Sequence, residues 1–539
     1  MRKREMDLIL FGGRIWGGEE IGFLPGLACA DERIVAIGKK EELLPLKTAK
    51  TEIIDLKGRL AIPGFNDSHL HLIEGGLNLI ALDLSQVKSR AEFVSKIAEY
   101  AKSLTKGEWI LGGGWDNEAW EDKTHPTKEL IDPFTKDNPL LLARVDCHIS
   151  LANSYALALA GINENTEDPP GGTILRDERG APTGLLADSA QQLVSQMVPP
   201  PSEEKLLSAA KRALSEAAKV GITSITENTF FTTNIAKIAP EILHTYQNLL
   251  KKGELTLRVN LLLPIEALDT ISSLGIESGF GSSRLRVAGV KGFLDGSLGA
   301  GTARFFEPYT DNRETRGIFT TPPEKIRRLV KKAVKGNLLP AIHAIGDEAN
   351  HILLDIYEEI TKEKKTPPPR LRVEHAQHLR REDIARMGRL KAIASVQPHH
   401  AVDDLRFLER KLGRKRAETS YPYRSLLEAG AILAFGSDFP VAPLSPLESL
   451  YAAVVRKGKE EVEDWFLKER LPLIPALTAY TRGGAYATGE EGVKGELSLG
   501  KFADIVVLSQ DIFEIPEEKI AEVAVDHTIS GGKIIYSHR

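Results

Sequence analysis

His69-Leu70-His71 puts two imidazoles two residues apart, and in an extended chain residues i and i+2 face the same way, so both rings can grip one metal ion. Among 13 histidines one such pair also arises by chance on a surface. Its company gives it weight. Lys291 lies in Val290-Lys291-Gly292-Phe293, His343 follows Pro340-Ala341-Ile342, His375 follows Val373-Glu374, and Asp438 follows Phe435-Gly436-Ser437. Each sits in or just after a β-type run. Singly, a lysine there is usually solvated and a histidine is often a hydrogen-bonded core residue. Jointly, His69, His71, Lys291, His343, His375 and Asp438 make the set that a two-metal hydrolytic site needs. Bound divalent ions lower the pKa of water from 15.7 toward about 7, which supplies a nucleophile at neutral pH. A lysine ammonium would repel such an ion, so Lys291 can join only as an anion, which addition of CO2 to give a carbamate provides. A neutral or salt-bridged Lys291 is the alternative.

Something must gather these side chains. Apolar β-type runs fall at residues 60–71, 222–227, 257–263, 285–294, 339–344, 371–375, 392–397 and 431–435, alternating with helical stretches. Eight is the number that closes a TIM-type barrel, and the candidates fall on its first, fourth, fifth, sixth and eighth strands. The expected fold is α/β: a (β/α)8 barrel from 65–76 and 218–494, a composite β-sandwich domain from 1–64 and 495–539, and an inserted α+β subdomain, 77–217, covering the barrel mouth. The termini read as strands at 7–11, 14–16, 33–37, 503–508, 521–525 and 533–536, with turn signals at Gly12-Gly13 and Gly531-Gly532. The insertion carries strand-like runs at 109–111 and 139–145 and a closing helix at 203–220.

On that insertion, Trp115, Asp116 and His148 are candidates for substrate contact, Trp115 as a pocket wall and His148 as a donor to a developing oxyanion. The alternatives are a core anchor and a turn histidine. His399 and His400, at the end of the seventh strand, are further candidates.

Composition narrows the function classes. A chain of 539 residues needs more than one structural unit, and 42% hydrophobic with 27% charged residues describes an ordinary globular protein. A net charge of -5 with interspersed signs leaves no footprint for nucleic acid or an anionic membrane. No apolar run reaches the roughly 20 residues of a membrane span, and no export signal is read, so the expected location is cytoplasmic. Cys29 and Cys147 are too few for a thiolate cluster, which leaves histidine and carboxylate as ligands. Such ligands suit zinc, with other transition metals able to occupy the same set. The expected partner is a small-molecule substrate; a homo-oligomer is left open.

At these residues the sequence resembles the amidohydrolase superfamily, specifically its third amidohydrolase family, the branch of N-substituted formamide deformylase-like enzymes. The resemblance runs through Ala61-Ile62-Pro63-Gly64-Phe65-Asn66-Asp67-Ser68-His69-Leu70-His71, Gly114-Trp115-Asp116, Asp146-Cys147-His148, Val290-Lys291, Asp295-Gly296-Ser297-Leu298-Gly299, His343-Ala344-Ile345-Gly346-Asp347, Glu374-His375-Ala376-Gln377 and Gly436-Ser437-Asp438. It implies that His69 and His71 bind the more buried metal and His343 and His375 the more exposed one. Lys291 would bridge the two, and Asp438 would bind metal and shuttle protons. It also implies hydrolysis of carbon–nitrogen bonds other than peptide bonds: amide, formamide or cyclic amide. Ala300, Gly301 and Cys147 depart from the family's pattern and leave the ligands untouched. Two other readings stay open: a mononuclear deaminase-type hydrolase and a catalytically silent ligand-binding barrel.

Overall fold

The computed structural model describes residues 5–145, 148–229, 235–363, 369–457 and 464–538. It divides into two compact units, one built from residues up to Leu72 with Ala213 onward, the other from Ile73–Arg212.

The first unit holds the barrel. Its strands are β1 (Phe65–Leu70), β2 (Ile222–Asn228), β3 (Arg258–Pro264), β4 (Leu285–Phe293), β5 (Leu339–Ala344), β6 (Arg372–His375), β7 (Ile393–Val396) and β8 (Ile432–Phe435), hydrogen-bonded in parallel in that order. Seven of the eight expected runs are single strands, and the first, 60–71, divides into Leu60–Pro63 of the terminal sheet and β1. Every residue of β1, β2, β3, β6 and β7 is buried, the pattern of strands covered on both faces. The ring nearly closes between β8 and β1. There Asp438 N donates to the His69 carbonyl at 2.7 Å and His71 N to the Phe439 carbonyl at 2.8 Å. The Asp67 carboxylate accepts from Ser437 N at 3.1 Å. Gly436 permits this approach, since a Cβ there would meet His69 N at 2.5 Å.

In the same unit the chain ends form a mixed sheet of eight strands: Leu8–Trp16, Phe23–Ala30, Arg33–Ile37, Glu52–Asp55, Leu60–Pro63, Ile505–Leu508, Val525–Ser530 and Lys533–Ser537. Hydrogen bonds join these eight strands continuously. The link is Leu8–Trp16, which pairs with Glu52–Asp55 along residues 8–11 and with Leu60–Pro63 at Arg14 and Ile15. Between the two pairings the strand bulges at Gly12, whose φ of +79° and crowding by Asp55 suit only glycine. One terminal strand also shifts: residues 517–522 wind into a 3-10 turn after Pro516, so the strand expected at 521–525 begins at Val525. A buried bidentate pair, Arg258 with Asp504 at 2.7 and 3.1 Å, ties β3 to this sheet.

The second unit is a six-stranded sheet, Leu82–Asp83, Ile110–Trp115, Leu140–Arg144, Ile149–Ala152, Gly172–Arg176 and Pro182–Asp188, with helix Arg90–Lys102 among those packed on it. Ser89 caps that helix by accepting from Glu92 N at 3.2 Å. The core of the unit centres on Trp115, Phe93 and Trp120. The closing helix runs Glu203–Lys219.

Candidate active site

The six candidate ligands converge on one cavity of about 1000 Å³ at the C-terminal ends of the barrel strands. His69 lies in β1 with His71 just beyond it, Lys291 is in β4, His343 in β5, His375 ends β6, and Asp438 follows β8. Two of the strand ends turn through strained backbone: φ is +74° at His375 and +60° at Asp438, and non-glycine residues hold such angles only where the surroundings fix them.

Each imidazole is oriented by the nitrogen it turns away from the centre. His69 Nδ1 is bonded to the Glu374 carboxylate, His71 Nδ1 to the Asn228 carbonyl at 2.9 Å, and His375 Nδ1 to Gln397 Oε1 at 2.8 Å. All three therefore present Nε2 to the centre. His343 is reversed: its Nε2 is 3.0 Å from the Gly296 carbonyl, which leaves Nδ1 to face inward. The Gly296 turn is held by Asp295, whose carboxylate accepts from Ile345 N, Gly346 N and Arg304 N at 2.8–2.9 Å. Partners of this kind fix tautomer and ring direction, as ligating histidines require.

Deeper in the barrel, Arg372 is fully buried and spans Glu374, the Ser68 carbonyl and, at 3.1 Å, Ser395 Oγ. The chain Arg372–Glu374–His69 thus fixes the first imidazole from behind. Sequence reasoning had Glu374 and Asp67 only as parts of motifs and missed Arg372, Gln397 and Asn228 as supports. Arg372 and Glu374 did carry a signal: two charges at i and i+2 within a strand expected to be buried.

The donor set fits a metal ion. Ligand atoms of His69, His375 and Asp438 lie within 4.8 Å of one another, and Asp438 Oδ1 is 3.4 Å from both His69 Nε2 and His71 Nε2. That oxygen is buried and accepts no hydrogen bond among the described residues, an orphan that a cation would satisfy. Burial, with Lys291 adding to it, lowers His343 to about 3, and burial with His343 and His69 holds His375 well below its usual value, so both rings are in the neutral form that binds metal. Burial alone would raise the Asp438 carboxyl; His69, His71 and His375 outweigh it and hold the group well below the carboxylate range. Burial also lowers the Lys291 amine to about 8. The amine makes no hydrogen bond or salt bridge among the described residues and lies 4.9 Å from the Phe293 ring centroid.

The substrate candidates fare differently. His399 and His400 both line the cavity, and His400 Nε2 is 3.7 Å from Asp438 Oδ2. Trp115 is fully buried against Phe93 and Trp120, so it anchors the core of the second unit and offers no surface to a ligand as a pocket wall. Asp116 caps a turn by accepting from Glu118 N at 3.1 Å and faces Arg144 at 3.5 Å. The His148 side chain is 76% exposed and pairs with Asp188 at 2.8 Å. Asp146 and Cys147, beside it in the motif, lie outside the described residues.

Comparison with known proteins agrees with this architecture. Protein LONG AFTER FAR-RED 3 of Arabidopsis thaliana is 37% identical over 537 residues, 98% of this chain and 91% of its own. The N-substituted formamide deformylase of Arthrobacter pascens is 26% identical over 521 residues, 94% of this chain and 93% of its own. A crystal structure of an uncharacterized metal-dependent hydrolase from Pyrococcus furiosus aligns with a TM-score of 0.77 at 31% identity, covering 94% of this chain and 99% of that one. Residues 52–536 match the amidohydrolase family from the terminal sheet through the last barrel strand and back, so the chain belongs to that family.

Proposed function

We propose that this metal-dependent hydrolase cleaves a carbon–nitrogen bond other than a peptide bond in a small molecule: an amide, formamide or cyclic amide. The observation that carries the reading is the buried Asp438 carboxylate, poised 3.4 Å from two imidazoles that face one centre, with one oxygen unpartnered among the described residues. An amide nitrogen leaves only when protonated, so a site for it needs a proton carrier beside the nucleophile.

His69, His71, Lys291, His343, His375 and Asp438 would hold one or two divalent ions, zinc being the ion that nitrogen and oxygen ligands suit best. Such an ion supplies water activation and carbonyl polarisation. The rest is done by this chain. Asp438 takes the proton from the attacking water on a carboxylate oxygen and delivers it to the departing nitrogen. Lys291, whose amine burial lowers to about 8, would add through Nζ to the carbon of CO2 and release a proton, and the anionic carbamate so formed would be able to ligate a cation. Phe293, Leu298, Phe407 and Val441 give the cavity an apolar wall against which the non-reacting part of a substrate can pack.

One observation favours a second reading. Among the described residues, His69, His375 and Asp438 form a compact triad, which suits a single ion and a deaminase-type reaction at an aminated ring.

Zinc-loaded protein supplied with bicarbonate is expected to release amine from at least one member of a panel of N-substituted formamides, simple amides and cyclic amides. A chelator should abolish turnover and zinc should restore it. Ammonia release from aminated rings alone, at one metal per chain, would favour the deaminase; no metal-dependent turnover on either class would favour the silent barrel.

A further inference from the structure

We propose that His400 is a catalytic residue, whose Nε2–H donates to the carbonyl oxygen of the substrate and to the oxyanion that forms from it. The role assigned to that oxygen rests on the hydrolase reading above, while the donor itself stands on geometry.

His400 lies in helix Pro398–Asp403, which starts directly after β7. Its ring runs nearly parallel to that of His375, at 14° with centroids 6.4 Å apart, and so lies beside the metal-facing rings. Its Nδ1 is 3.3 Å from Gln377 Nε2. An amide nitrogen only donates, so Nδ1 accepts and the ring hydrogen is on Nε2. Gln377 is therefore a positioning residue that sets the tautomer.

His400 Nε2 is buried and has no hydrogen-bond partner among the described residues. Asp438 Oδ2, at 3.7 Å, is too distant to accept from it. Folded proteins rarely leave a buried donor unused, and the residue that carries this one lines the same cavity as the six candidate ligands. A fixed donor beside the proton carrier, aimed where an oxygen gains charge, is the arrangement that stabilises a tetrahedral transition state.

The rival histidines lack this combination. His148 is exposed and engaged by Asp188. His399 shares the cavity wall, yet no hydrogen bond among the described residues fixes its tautomer.

Acetate is the test probe, because one carboxylate oxygen can face the metal centre while the other accepts from His400. On zinc-loaded full-length protein, calorimetry should show that His400→Phe raises the acetate Kd on the order of tenfold, the worth of one hydrogen bond to a charged group, with zinc content unchanged. His400→Gln, which keeps an amide donor, should raise it by less than about threefold on the same scale. Nitrogen NMR of histidine-labelled wild type should show His400 protonated on Nε2 alone, a readout that survives if a variant fails to fold. Equal acetate affinity in wild type and His400→Phe, no saturable acetate binding to wild type, or a proton on Nδ1 overturns the proposal. His400-dependent acetate binding in a protein that hydrolyses no carbon–nitrogen bond would support the donor and remove the bond assignment.

Discussion

Replacing Asp438 by asparagine is expected to lower kcat by about 10²–10⁴-fold, the usual contribution of a positioned acid–base group, while the protein stays folded and keeps metal. Asparagine suits the test for two reasons. It is among the few residues that tolerate the left-handed backbone held at position 438, where φ is +60°. Its main-chain N–H can still donate to the His69 carbonyl across the seam between β8 and β1, a bond of 2.7 Å in the parent. What it cannot do is take up and return a proton. Metal content per chain by elemental analysis, measured with kcat, separates the outcomes. Undiminished turnover would remove Asp438 as the proton carrier; loss of metal together with turnover would make it chiefly a ligand.

Replacing Glu374 by glutamine is expected to cost both stability and metal affinity, by separable routes. Arg372 is fully buried, and neutralising Glu374 leaves its guanidinium without a counter-charge, a change worth about 3–5 kcal/mol when one partner of a buried pair is removed. The same carboxylate orients His69 through Nδ1, and losing such a support typically weakens metal binding about 10–100-fold. Removing the stranded charge as well, in Arg372→Met with Glu374→Gln, should recover much of the stability and none of the affinity. Thermal denaturation read beside a zinc-competition titration checks both. Equal recovery of the two in the double variant would mean that Glu374 serves only to neutralise Arg372.

The barrel was legible in the sequence because most of its strands are buried on both faces and read as short apolar runs; seven were found to within one residue at either end, while the first run, 60–71, merged Leu60–Pro63 of the terminal sheet with β1. The six ligand candidates stood out because polar groups at the ends of such runs break the pattern of an apolar barrel interior. Their supports were harder to see. Glu374 acts on His69 across 305 positions of sequence, and no local spacing announces a cross-barrel bond. Trp115 illustrates the converse: an aromatic after Gly112-Gly113-Gly114 suits a pocket wall and a core anchor equally well until packing decides, and packing against Phe93 and Trp120 decides for the anchor. His399 and His400 could not be ranked from sequence because a helix begins at Pro398 and turns successive side chains about 100° apart. The contact from Gln377 then singles out His400.

The claim on which the rest stands is that four histidines from three barrel strands and their ends, with Asp438, share a metal centre. Anomalous diffraction from crystals of zinc-loaded protein, recorded on both sides of the zinc edge, addresses it directly. The expected map has one or two peaks at the cavity floor, about 2.0–2.1 Å from the inward ring nitrogens of His69, His71 and His375. A second peak, if present, should lie against His343 Nδ1 with modified Lys291 between the ions. A map with no peak among these side chains, or with zinc bound only elsewhere on the protein, would contradict the account.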